Sequence, residues 1–214
     1  MTVLTSIPLN PLRRGAQKLL TNPQALHAAT AACLPETREP GRILWRLERK
    51  THQVDLLMQA PEAPSLGHII EQAGWPDSPT GQGRSADLAP LLERLAQGQR
   101  WGFRTTLNPV TSISRPGQRG TVTAHTTPAH QLAWFLGRAD GSRGFSCSEM
   151  DVQLDGHEQL RFRKGDGTRP VTLHTVTFQG ILTVTDTDHL RQLLTGGMGR
   201  ARAYGCGLIT LART

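Results

Sequence analysis

The alternation of short period-two segments with short amphipathic ones constrains this chain more than any other feature, because the same order runs through it twice. An apolar stretch with Val3, Leu4 and Ile7 leads through Pro8 and Pro11 to Asn22-Pro23. Asn as an N-cap with Pro at the first helical position starts a helix carrying Leu26, Ala28, Ala29 and Ala32, and Pro35 and Pro40 end it. Residues 41–49 and 52–60 alternate in part at period two on either side of Lys50-Thr51, which is the pattern of a β-hairpin. Leu66, Ile69, Ile70 and Ala73 then fall at helical spacing, closed by Gly74-Trp75-Pro76. Residues 76–86 read as a loop, 88–95 as a helical turn or two, and 100–107 as a strand stopped by Asn108-Pro109.

Strand, helix, strand, strand, helix, strand is the βαββαβ order of a ferredoxin-like unit. After a basic, Ser/Thr/Gly-rich connection over 111–120 the order returns. Residues 121–125 read as a strand, Thr127-Pro128 opens a helix with Leu132, Phe135 and Leu136, and 145–154 alternate as a strand. Residues 160–164 and 170–173 flank the turn 165–168, and Val176, Phe178, Leu182 and Val184 continue at period two. Their parity is opposite to that of Val171 and Leu173, which requires a bulge near Thr175. A helix over 186–194 and a strand over 208–211 complete the second round. The sequence predicts an α+β chain of two tandem ferredoxin-like domains, residues 1–108 and 121–214, joined by a linker over 109–120.

A chain of 214 residues buries a core without disulfide or metal staples. Its apolar runs fall short of the ~20 residues of a membrane span, and the opening has no signal-like core, so no membrane association and a cytoplasmic location are expected. Cys33, Cys147 and Cys206 are far apart and form no CxxC pair, which argues for reduced, unligated thiols and against a zinc site. The net charge is +7, with an excess of +2 over residues 1–100 and +5 over 101–214. The 21 Arg far outnumber the three Lys, as an Arg-rich surface for nucleic acid or the codon bias of a GC-rich genome both produce.

The most informative segment is GMGRARAYGCGLI, residues 197–209, between the last helix and the last strand. Gly197, Gly199, Gly205 and Gly207 let backbone approach a polyanion closely, and Arg200 and Arg202 supply charge. No GxxxxGK[ST] is present, and the GxG follows a helix where a dinucleotide-binding fingerprint follows a strand. A second candidate is LRFRKGDGTR, residues 160–169, where Arg161, Arg163 and Arg169 share one face of a hairpin with Lys164 at its tip. A glycine-rich turn and a solvated hairpin are the competing structural readings of these two segments.

The glycine-rich segment resembles the C-terminal signature of the CasE family of CRISPR repeat-processing endoribonucleases, roughly G-hydrophobic-G-x-x-[KR]-x-x-G-x-G-L-L, with Ile209 for the second Leu. FRTTLNP at 103–109 is similar to the family's FRLxxNP, and VTFQGILTVTD at 176–186 to its VxFEGxLxVxD. The resemblance covers essentially the whole chain. It implies a metal- and cofactor-independent endoribonuclease that cuts CRISPR precursor RNA at the 3′ base of the repeat hairpin. It also implies a protein that remains with the guide RNA and other Cascade subunits, and is a monomer outside that complex.

The family's catalytic histidine lies in a Tyr-x-x-His pattern on the first helix, which matches Gln24-Ala-Leu-His27 here. His27 is the implied catalytic residue. Gln24 stands at the tyrosine position, and its amide orients a partner but does not exchange a proton near neutral pH. Either His27 does the proton work alone or another group replaces the tyrosine. A non-catalytic family member that only holds the repeat hairpin, and a small-molecule-binding domain of the same fold, are the alternatives.

Overall fold

The computed structural model describes residues 2–36, 41–51, 53–115, 118–163 and 170–214. Its first unit contains β1 (Val3–Leu9), α1 (Arg14–Thr21), α2 (Pro23–Ala31), β2 (Leu44–Arg49), β3 (Val54–Ala60), α3 (Gly67–Ala73) and β4 (Arg84–Asp87). The strands form an antiparallel sheet in the order β2-β3-β1-β4, the ferredoxin-like arrangement. Buried Ile7, Leu9, Leu56 and Met58 of the sheet meet Leu19, Leu26, Ile69 and Ile70 of the helices in one core. α2 starts as expected: Pro23 occupies its first turn, and the Asn22 side chain accepts from the Gln24 and Ala25 N–H groups.

The second unit follows α4 (Ala89–Arg94) and contains β5 (Arg100–Leu107), β6 (Val110–Arg115), β7 (Gln118–Ala124), α5 (Pro128–Leu136), β8 (Phe145–Ser146), β9 (Val152–Phe162), β10 (Val171–Val184), α6 (Thr187–Gly196) and β11 (Ile209–Arg213). Its sheet runs β11-β5-β10-β8, with β9 also on β10. This is the same ferredoxin-like order, so the chain is α+β with two such units in tandem. Trp101, Phe103 and Leu107 of β5 and Phe178 and Leu182 of β10 pack on Phe135 of α5 and Leu190 and Leu194 of α6. The pairing of β9 with β10 shifts between Val176 and Phe178, where β9 carries the extra residue, so the irregularity falls beside Thr175 but on the partner strand and not in 171–184 as expected.

The unit boundary differs from the sequence reading. Residues 100–107 are a strand, but they pair with β10 and β11 and open the second unit, where the sequence made them the last strand of the first. The fourth strand of the first sheet is instead β4, inside the segment read as loop. All four residues of β4 are exposed, so an edge strand held by backbone pairing carries no apolar alternation to reveal it. Residues 109–120 are likewise no plain linker, since β6 and β7 pair with each other as a ribbon inserted between β5 and α5. Residues 121–125, expected as a sheet strand, belong largely to that ribbon. The strand expected over 145–154 divides at a 3-10 turn, Glu149–Asp151, into β8 and the start of β9. α1 is an additional helix with no side-chain N-cap to announce it.

The two units are joined by a buried guanidinium. Arg46 of β2 is only 2% exposed. Its Nη1 donates to the carbonyls of Arg104 at 2.6 Å and Leu208 at 2.9 Å, its Nη2 donates to Thr210 Oγ1 at 2.9 Å, and its Nε donates to Glu48 Oε1 at 2.7 Å. Burial pulls the Arg46 pKa below its ordinary value, and the Glu48 carboxylate opposes that shift. Glu48 also receives Arg104 Nε at 2.9 Å, and Arg104 Nη1 continues to Asp155 and Gln179. Gln59 of β3 adds a second join by donating to the Leu194 and Thr195 carbonyls at the end of α6. Arg46→Ala removes four hydrogen bonds and leaves Glu48 and two carbonyls short of a donor. It should cost about 3–5 kcal/mol in urea unfolding, whereas an exposed charge such as Arg94 should cost within about 0.5 kcal/mol.

Candidate active site

His27 lies on α2, one helical turn after Gln24 on the same face, and is half-buried. Facing that turn is the 3-10 turn Arg202–Tyr204, carried by the glycine-rich segment of the second unit. The Tyr204 hydroxyl donates to Gln24 Oε1 at 3.2 Å. The Tyr204 ring stands edge-on to His27, with centroids 6.4 Å apart at 66°. Phe162, at the end of β9, packs on the tyrosine ring at 4.6 Å. A cleft opens alongside, with Leu26, Arg49, His157, Glu158 and Tyr204 among its lining residues, so both units contribute walls. The site therefore joins helix α2, a loop between α6 and β11, and the β9–β10 hairpin.

The glycine-rich segment does more internal work than its composition suggests. Gly205 is buried at φ +82°, and a Cβ there would lie 2.6 Å from the Trp45 ring. At Gly197, φ +75°, a Cβ would lie 2.8 Å from the Leu44 side chain. These glycines let the loop sit directly on β2, so their close approach is to the first unit of the protein itself. Gly207 is buried too, and Gly199 is half-buried with more room around it. Arg202 also turns inward: its Nε and Nη1 donate to the Gly199 and Gly196 carbonyls at 2.9 and 3.0 Å. Burial, followed by the neighbouring Arg42 charge, lowers its pKa. Arg202 is a brace of the loop, while Arg200 is exposed.

On the β9–β10 hairpin, Arg161 and Arg163 are exposed. Strand alternation puts Arg161 on the face opposite Phe162, hence opposite the Tyr204 contact. Lys164 and Arg169, the other two basic residues singled out in this hairpin, lie outside the described residues. Burial raises the thiol pKa of Cys33 to about 11 and those of Cys147 and Cys206 to about 12, so all three are thiols at neutral pH. None is disulfide-bonded. Among the described residues no group of three or more His, Cys, Asp or Glu side chains converges as metal ligands do, and no helix is long and apolar enough to cross a membrane.

The sequence singles out His27, Gln24 and the glycine-rich segment, which the fold brings together, but not Tyr204 or Phe162, which pack beside them. The signal for Tyr204 was available, since it is the chain's single tyrosine and sits inside the most distinctive motif.

Comparison with known proteins shows the family. The family described as CRISPR associated protein matches residues 3–213. The chain belongs to that family. It is 30% identical over 220 residues to the CRISPR-associated endoribonuclease Cse3 of Thermus thermophilus, covering 98% of this chain and 99% of that protein. It is 31% identical over 157 residues to the CRISPR system Cascade subunit CasE of Escherichia coli K12, covering 70% of this chain and 76% of that one. The structure of Thermus thermophilus Cse3 bound to an RNA representing a pre-cleavage complex superposes with a TM-score of 0.75 at 28% identity, covering 99% of this chain and 98% of that chain. In this CRISPR-associated protein the candidate site lies on a junction of two units.

The junction makes a mutational prediction. Gly205→Ala places a methyl into the Trp45 ring at a backbone angle that alanine adopts poorly. It should destabilise by about 1–3 kcal/mol in urea unfolding and lower single-turnover RNA cleavage, because it lifts Tyr204 away from α2.

Proposed function

We propose that this protein is the endoribonuclease that binds the hairpin of a CRISPR repeat in precursor RNA and cuts at the 3′ base of the stem. It then keeps the guide RNA as one subunit of a Cascade complex in the cytoplasm. The observation that carries the reading is the meeting of His27 with the glycine-rich loop: a proton-transferring imidazole on a helix of one unit faces the family signature of the other. Relationship over nearly the full length to Cse3, named an endoribonuclease and solved with RNA, supports the same reading.

The chemistry such a site performs is an internal transesterification. The ribose 2′-oxygen bonds to the adjacent phosphorus, the bond from phosphorus to the 5′-oxygen breaks, and the products end in a 2′,3′-cyclic phosphate and a 5′-hydroxyl. No metal or cofactor is needed for this balance. His27 exchanges a proton with a reacting oxygen, assistance worth about 10²–10⁴-fold. Exposed Arg161, Arg163 and Arg200 carry charge to the RNA backbone. Lys164 and Arg169 extend that basic ribbon in the sequence. A-form RNA presents mainly phosphates, 2′-hydroxyls and shape to such a ribbon. Gly197 and Gly205 contribute by seating the loop on β2, and Gly207 and Arg202 by bracing the loop within itself.

In EDTA, the wild-type protein should cut a cognate repeat hairpin under single-turnover conditions, and His27→Ala should be at least ~10²-fold slower with affinity within a few-fold. Wild-type cleavage that vanishes in EDTA and returns with a divalent cation, or a His27→Ala protein that cleaves normally, overturns this reading. Binding of the hairpin without any cleavage by the wild type would mark a guide-RNA holder.

Charge on the hairpin is tested separately. Replacing Arg161 and Arg163 by Ala should weaken stem-loop binding and flatten its log–log salt dependence, by up to ~0.9 for each phosphate that an arginine no longer neutralises. An unchanged salt slope would make this edge merely solvated.

A further inference from the structure

The cleavage described above moves two protons. One leaves the 2′-hydroxyl as its oxygen bonds to phosphorus, and one reaches the 5′-oxygen as its bond to phosphorus breaks. A single imidazole accepts the first or supplies the second, so a concerted reaction uses a second proton-bearing group. Gln24 is not that group, because a carboxamide does not titrate near neutral pH. Arg202 has its guanidinium on loop carbonyls and is a poor proton donor.

Tyr204 has the required chemistry and placement. A phenol both donates a hydrogen bond and gives up its proton far more readily than an alcohol or an amide. The hydroxyl is directed onto Gln24 Oε1 at 3.2 Å, one helical turn from His27. The ring is fixed between the edge of His27, 6.4 Å between centroids, and Phe162 at 4.6 Å. Its backbone is held as well: the Tyr204 N–H donates to the Ala201 carbonyl at 2.9 Å, Ala201 adopts the left-handed φ of 61°, and Gly205 presses on Trp45. These contacts hold the Tyr204 side chain beside α2.

We propose that Tyr204 is the second catalytic residue, the general acid that protonates the departing 5′-oxygen while His27 takes the proton of the attacking 2′-hydroxyl. Gln24 is its positioning residue, accepting from the phenol and aiming it along α2. As the cyclic phosphate forms, the imidazole becomes imidazolium and the phenol becomes phenolate. Transfer of the proton from His27 back to Tyr204 restores both groups, with no co-reactant consumed. This inference rests on the endoribonuclease reading.

The test compares two hairpin substrates in EDTA, one normal and one with sulfur replacing the 5′-bridging oxygen at the scissile bond. A thiolate leaves without protonation, so the sulfur substrate bypasses the general acid only. Tyr204→Phe should lose at least ~10²-fold on the normal substrate, return to within about tenfold of the wild type on the sulfur substrate, and bind both within a few-fold of the wild type. Gln24→Ala should lose less than Tyr204→Phe and be rescued in the same way. His27→Ala should stay slow on both. The assignment is overturned if Tyr204→Phe cleaves the normal substrate at the wild-type rate, if its defect persists with sulfur, or if His27→Ala is the variant rescued. His27→Ala cleaving both substrates normally would instead overturn the endoribonuclease site itself, so the two failures are distinguishable.

Discussion

The junction that carries the candidate active site rests on the buried Arg46 guanidinium. A charge taken that far from water is costly unless its donors are matched and a carboxylate lies against it, and Arg46 meets both conditions through Glu48, two carbonyls and Thr210. Three of those partners, Arg104, Leu208 and Thr210, belong to the second unit. The planar, five-donor shape of the guanidinium is what lets one side chain reach a β5 carbonyl, a loop carbonyl and a β11 hydroxyl together. An apolar residue in its place would join the sheets by packing alone and leave the Leu208 and Arg104 carbonyls to find other donors. The neighbouring Arg104, half-buried, has its pKa pulled down by burial but raised overall by its hydrogen bonds and charge contacts to Asp155 and Glu48. The network thus runs from β2 through β5 to β9, the strand that delivers Phe162 to the active site.

This junction explains why the glycine-rich loop takes the form it does. Leu208 precedes β11 directly, so fixing its carbonyl on Arg46 also fixes the loop that ends there. The loop then lies on Leu44 and Trp45, the two residues of β2 just before Arg46, at distances only glycine permits. Gly207 closes the arrangement by donating to the Thr106 carbonyl and accepting from the Met198 N–H. The turn that carries Tyr204 is therefore anchored at both ends, and α2 is the surface it faces. A loop of this kind supplies rigidity through close approach, where a larger side chain would supply bulk and distance.

Charge is distributed to match. The guanidinium groups of Arg46, Arg104 and Arg202 are committed to carbonyls and carboxylates inside the junction, whereas those of Arg161, Arg163 and Arg200 are exposed. The basic excess of the chain therefore divides into two populations with different tasks, one holding the units together and one available to a polyanion. Composition alone counts both equally. On β9, alternation separates apolar contact from charge, with Phe162 turned to the tyrosine and Arg161 exposed.

Local physical chemistry makes a good part of this protein legible from its sequence. Asn22-Pro23 starts α2, and the two rounds of strand and helix define the fold class, because each of these is written in neighbouring residues. His27 and the glycine-rich segment stand out through their resemblance to a family pattern. Partner choice is another matter. Whether residues 100–107 close one sheet or open the next depends on hydrogen bonds to β10 and β11, far along the chain, and a strand's own alternation is the same in either sheet. β4 is invisible locally because an exposed edge strand needs no apolar face. The inward role of Arg46, and the meeting of Tyr204 with His27 across 177 positions, arise only when two independently patterned units dock, since a side chain's partner across an interface leaves no periodicity in its own segment.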